Sequence, residues 1–178
     1  MEITPIYVLS QIITIIYFGL LNISYLVKDR TKILTSNMFA HIGQILAMAL
    51  LKGYTGAAMA VVMLIRDVAL LIIERKELKN KKTIDLAILI ITILLIISLT
   101  VITYAGPLSL LSVGATLVLS FAVWQKNVKT YKLLGIIGGI LWLAYNIFIF
   151  SIMGIILETT VVISSTIGFI NSNKKVKK

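Results

Sequence analysis

No side chain between Leu86 and Gln125 carries a charge. The same holds from Pro5 to Val27, from Leu133 to Leu157 and, His41 aside, from Ile33 to Leu51. These runs constrain the fold more than any other feature. Each reaches or exceeds the roughly 20 residues that carry a helix across the hydrocarbon of a bilayer. Backbone in that medium must satisfy its own hydrogen bonds, which leaves helices and closed barrels. The runs are too long, and alternate too little, for barrel strands. Charged residues make up 13% of the chain, about half the usual share of a soluble domain, so lipid is the expected solvent along most of its length.

Two of the runs are long enough to cross twice. One breaks at Ala105-Gly106-Pro107 and the other at Phe150 to Gly154. Seven helices are therefore expected, near 5–27, 33–51, 55–73, 84–104, 107–124, 133–150 and 153–171. Met1-Glu2 lacks the basic region of a secretory leader, so the first run is expected to be a span. With no cysteine, the chain has no disulfide framework and no thiolate metal site.

The formal charge of +10 does not point to nucleic acid, because of where the charges lie. All but two of the 17 basic residues fall in alternate loops and the tail: Lys28 to Lys32, Arg75 to Lys82, Lys126 to Lys132, and Lys174 to Lys178. The exceptions are Lys52, in an intervening turn, and Arg66, within a span. Lys and Arg collect in cytoplasmic loops, so this bias predicts the N-terminus outside, the C-terminus in the cytosol and an odd number of spans. The basic inner loops are also expected to attract anionic lipid.

A weak repeat at an offset of 98 residues sets Gly56 on Gly154 and Lys28 on Lys126. Three helices, a linking helix and three more would make two halves of the same orientation, related by an axis along the membrane normal, which is one of the transporter plans. The expected divisions are 1–83 for the first triple-helix bundle and its basic loop, 84–106 for the linker, and 107–178 for the second bundle and tail. The fourth helix has nothing more polar than Thr or Ser from Leu86 to Tyr104 and reads as lipid-facing.

Polar residues inside the spans come next, since a charge at the bilayer centre costs at least about 2.5–3.5 kcal/mol and usually faces a cavity or a partner. Arg66 and Asp67 are adjacent, and neighbouring helical positions diverge by about 100°. Each is therefore expected to find a partner elsewhere: Arg66 as a structural charge partner reaching toward Glu158, Asp67 on a central cavity. An inter-helix clamp made by the pair is the plainer alternative. His41 and Gln44 belong to the cavity list as well, although a lone histidine also serves as a hydrogen-bonded packing residue. Trp142, Tyr145, Asn146 and Glu158 share a level near the midplane, too deep for the interfacial aromatic belt. Together with Asp67 they are the expected substrate-binding set. Gly135, Gly138 and Gly139 are expected to admit close helix packing.

Two stretches carry a family resemblance. Leu141 to Asn146, "LWLAYN", is similar to the Trp-x-x-Tyr segment of SWEET sugar facilitators, which share the three-one-three plan with PnuC vitamin transporters. The whole chain resembles the YgjV family of bacterial inner-membrane proteins more closely, through "LLKGYTGAAMAVVMLIR" from Leu50 and "WLAYNIFIFSIMGIILE" from Trp142. The resemblance implies a transporter-like fold in the bacterial inner membrane and no particular substrate. Two departures from the SWEET pattern bear on mechanism. Its Pro-Gln pair is replaced by Leu26-Val27 and Trp124-Gln125, so a proline hinge is not expected. Sixteen residues after Trp142, where that family places a sugar-binding Asn, stands Glu158, which favours a cationic or proton-coupled cargo.

The reading is an all-α polytopic membrane protein carrying a small polar metabolite through a cavity between two repeats. A non-transporting membrane binding subunit or scaffold is the alternative. Enzyme chemistry is not expected: there is no Ser–His–Asp order, no catalytic residue set, no metal cluster and no cofactor motif. The sequence leaves homo-oligomerisation open.

Overall fold

The computed structural model describes residues 4–26, 30–76, 80–124 and 127–174. These hold seven α-helices: α1 Pro5–Leu26, α2 Arg30–Leu50, α3 Tyr54–Arg75, α4 Lys81–Thr103, α5 Leu110–Trp124, α6 Val128–Phe148 and α7 Ile152–Lys174. Among the described residues there is no strand. α1 to α4 and α6 are long and apolar enough to cross a membrane, as is Pro107–Trp124, which adds a 3-10 turn to α5. The apolar part of α7 that qualifies among the described residues, Ile152–Ile167, is shorter.

Helix ends follow local chemistry. Pro5 opens α1, where a missing N–H costs nothing. Gly106 takes φ 99°, a turn conformation that suits glycine, and Pro107 then starts the 3-10 turn. Asn127 caps α6, its Oδ1 accepting from Lys129 N at 2.9 Å and Thr130 N at 3.2 Å. Inside the spans, Thr14, Thr100 and Thr116 return their hydroxyls to carbonyls four residues back, so these three are not left open to lipid.

Helices adjacent in sequence pack together from α1 to α3 and from α5 to α7. α4 packs on α3 and α5, and two further contacts close the bundle, α1 with α7 and α3 with α5. α4 turns most of its surface outward from the bundle. It buries only Asp85, Thr92 and Ile96, while Leu94, Ile97, Val101 and Ile102 lie exposed along it.

The turns after α2 and α6 are built alike. Lys52 and Phe150 both take positive φ, 59° and 54°. Lys52 N donates to Ala49 O and Gly53 N to Met48 O; 98 residues on, Phe150 N donates to Ile147 O and Ser151 N to Asn146 O. Both turns therefore satisfy the last carbonyls of a helix by the same left-handed cap. Lys28 and Lys126, also 98 apart, lie outside the described residues.

Close approach substitutes for apolar driving force, which lipid does not supply between helices. A Cβ on Gly56 would stand 2.5 Å from a ring carbon of Tyr145, one on Gly138 2.7 Å from Leu119, and one on Gly139 2.8 Å from Val162. At the basic end, Glu74 joins three helices by pairing with Arg30 at 3.2 Å and Lys81 at 2.9 Å.

Candidate functional site

Arg66 and Asp67 settle first, because the structure departs from expectation there. They pair with each other. Arg66 Nε lies 2.8 Å and Nη2 2.7 Å from the same oxygen, Asp67 Oδ1. Cβ directions do diverge between neighbours, but the arginine stem is long enough to fold its planar fork back across that angle. Arg66 Nη1 also donates to Ser120 Oγ on α5 at 3.1 Å. The second Asp67 oxygen lies 3.3 Å from His41 Nε2 on α2, and His41 Nδ1 is 3.1 Å from Gln44 Oε1. The acid is fully buried; Oδ1 is held by the arginine fork, while Oδ2 has the histidine beside it but no hydrogen bond. The pair thus ties α2, α3 and α5 together, and Glu158 is not the partner of Arg66.

A central cavity opens beside this network. Its walls come from six helices and include His41, Gln44, Trp142, Asn146 and Glu158, together with Tyr17 and Phe18. About 50 Å³ is open to the centres of water molecules, room for roughly three to five of them. Met63 is nine residues into α3, or about 14 Å from that end, which places the cavity near the middle of the span.

Of the expected binding residues, Trp142, Asn146 and Glu158 reach the central wall, as do His41 and Gln44. Asp67 does not; it touches the cavity only through His41. Tyr145 is not on the central wall either. It lines a larger cavity of about 270 Å³ at the short-turn end, with Lys52, Thr55, Ser109 and Phe150. The Tyr145 ring meets Trp142 edge-on, centroids 5.7 Å apart, so Tyr145 and Trp142 stand between the two spaces. The Tyr145 hydroxyl accepts from Gly56 N at 2.9 Å, capping a first-turn amide of α3 that has no partner in its own helix. α7 is capped comparably: Gln11 Oε1 accepts from Met153 N at 2.9 Å and Ser151 Oγ from Gly154 N.

Six wall residues fall at a 98-residue interval. Leu21 and Leu119, Gln44 and Trp142, and Met63 and Val161 all line the cavity, and the members of each pair stand 98 residues apart. At the same interval the other wall residues meet different residue types. Tyr17 and Phe18 correspond to Ala115 and Thr116, His41 to Gly139, Asn146 to Met48, and Glu158 to Ala60.

Among the described residues no group of three or more His, Cys, Asp or Glu side chains could hold a metal ion. Tyr17 and Phe18, stacked with centroids 4.7 Å apart, escaped sequence reasoning because an aromatic in an apolar span resembles any other lipid-soluble residue. The available signal was the stripe Ser10, Thr14, Tyr17 and Leu21 on α1, whose hydroxyls at the first two positions mark the inward face.

Residues 8–175 match the family model Imp-YgjV, described as a bacterial inner membrane protein. No curated protein and no solved structure matches the chain.

Proposed function

The chain belongs to this YgjV family of the bacterial inner membrane, and from that premise we propose that it is a carrier for a small polar metabolite. The cargo would pass between two parallel triple-helix repeats, α1–α3 and α5–α7, with α4 as linker. On this reading the N-terminus faces the periplasm, in keeping with the loop charges, and the end cavity at Lys52 is the outer vestibule. A relation to SWEET and PnuC carriers would account for the plan.

The observation that carries the reading is the central cavity itself. Three pairs of its wall residues stand at the repeat interval, so it sits where an axis relating the halves would run. The reciprocal contacts α1 with α7 and α3 with α5 are those a two-fold relation requires. Transporter sites of this plan lie at the midplane on the interface between repeats. A space of about 50 Å³ fits a closed state, in which Tyr145 and Trp142 separate vestibule from cavity. Rocking of one bundle against the other would enlarge it. Asp67 would then act on cargo through His41, while the Arg66–Asp67 pair holds α3 to α5.

The closed cavity is also the observation that favours a second reading, a binding subunit that moves nothing. Proteoliposomes carrying an interior pH dye or a trapped labelled solute separate the two. Pools of small polar solutes should give uptake or counterflow that Glu158→Gln abolishes. Absence of flux for every pool, from protein that still binds solute, would favour the subunit.

A further inference from the structure

The central cavity is lined by one carboxylate, Glu158, one histidine, His41, and, among the described residues, no lysine or arginine. Glu158 is 8% exposed, lies on the wall and, among the described residues, has no ion-pair partner. The nearest basic network is already committed, since both Arg66 contacts to a carboxylate go to Asp67. His41, which lines the cavity with Glu158, has its two nitrogens beside Asp67 and Gln44. The end-cavity base, Lys52, is separated by Tyr145 and Trp142. Gly139 makes the room: a Cβ there would stand 3.3 Å from Glu158 Oε1 and 2.8 Å from Val162.

Three aromatic side chains share the wall with the acid, beside aliphatic residues and the polar His41, Gln44 and Asn146. Tyr17, Phe18 and Trp142 line the same cavity as the acid, and Trp142 Nε1 is buried without a hydrogen-bond partner. A buried donor left open in this way is expensive unless something accepts from it. A bare metal ion is a poor match, because hard cations take several oxygen ligands and Glu158 is the only carboxylate on the wall. Aromatic faces with one carboxylate suit a different ion, an alkylammonium. Its charge is spread over carbon-bound hydrogens, and ring faces attract it.

We propose that the central cavity binds a small organic monocation of the amine or quaternary ammonium class. Glu158 is the counter-charge, Tyr17, Phe18 and Trp142 are the cage, and Trp142 Nε1 donates to an oxygen on the same molecule. The proposal rests on the carrier reading in taking this cavity as the cargo's seat, and it adds the charge and class of the cargo. The acid and the cage draw on both halves, Tyr17 and Phe18 from α1, Trp142 from α6 and Glu158 from α7, yet none recurs at the 98-residue interval, where Ala115, Thr116, Gln44 and Ala60 stand instead. A symmetric frame is thereby given a single polar pole.

The test uses detergent-purified protein and equilibrium binding. Choline and tetramethylammonium should raise the melting temperature saturably, and dimethylbutanol, the neutral carbon isostere of choline, should not. Glu158→Gln should weaken choline binding by at least about tenfold, while Glu74→Gln, at the basic end, leaves it intact. A Trp124→Phe variant keeps Trp142 as the single tryptophan of a chain that has two, and its emission should change on choline addition even if Glu158→Gln does not fold. Equal stabilisation by the neutral isostere, unaltered affinity in folded Glu158→Gln, stabilisation by sodium alone, or unchanged Trp142 emission would each overturn the proposal. Choline binding without flux in liposomes would refute carriage and leave the cation site standing. Flux of neutral solutes without ammonium binding would do the reverse.

Discussion

Replacing Arg66 with methionine removes the fork that holds Asp67 Oδ1 at 2.7 and 2.8 Å. It also frees Ser120 from its 3.1 Å contact. Methionine fills much of the same volume, so packing loss is minor. The charge loss is not, because Asp67 is 0% exposed and keeps only His41, 3.3 Å away. Breaking a buried ion pair from one side costs about 3–5 kcal/mol. For a chain of 178 residues, at about 2–4 °C per kcal/mol, the melting temperature should fall by roughly 6–20 °C. Adding Asp67→Asn should recover most of that, since no charge is then stranded. Adding Glu158→Gln to Arg66→Met should recover nothing, because the two side chains are not partners. The assay is thermal unfolding in one detergent of the parent, the three single variants and the two doubles, read as two double-mutant cycles. If Arg66→Met melts like the parent, or if Glu158→Gln rescues it and Asp67→Asn does not, the assignment of the pair is wrong.

Three further substitutions probe the helix contacts and the topology. Gly138→Ala should destabilise by about 1–3 kcal/mol through its 2.7 Å approach to Leu119, and Leu119→Ala should restore much of the loss in thermal melts. Tyr145→Phe should cost about 1–2 kcal/mol by leaving Gly56 N–H open, seen as a lower melting temperature with the helix content unchanged. On the cysteine-free background, an impermeant maleimide added to whole cells should label a cysteine at Lys52 and miss one at Lys82; the reverse pattern would invert the topology.

Most of the helix plan was legible because lipid demands long uncharged runs, and the chain breaks them only with Gly, Pro and Ser. The ends were less legible. α2 begins at Arg30 and α6 at Val128, several residues before the apolar runs, because hydropathy marks where lipid stops and a basic first turn goes on being helical in water. Trp142, Asn146, Glu158, His41 and Gln44 could be picked out as cavity residues because polarity inside an apolar span is conspicuous. Tyr17 and Phe18 could not, having no such contrast. Arg66–Asp67 was misjudged for a geometric reason: helical periodicity describes where Cβ atoms point, and the charge of an arginine lies several bonds farther on. Asp67 therefore turned inward to its neighbour and to His41, and Tyr145 became the cap of α3 on the far side of Trp142.

The central claim is that a path for polar solutes runs through the space between α1–α3 and α5–α7. Cysteines placed one at a time at Met63 and Val161, a pair of wall positions 98 residues apart, test it most directly. Each would be challenged in membranes with a small cationic thiol reagent, beside a control at Ile97, which lies exposed on α4. Modification of both wall positions, slowed by a bound solute, with Ile97 unreactive, is the predicted result. Wall cysteines as inert as Ile97 from either side of the membrane would contradict a solute path through this cavity.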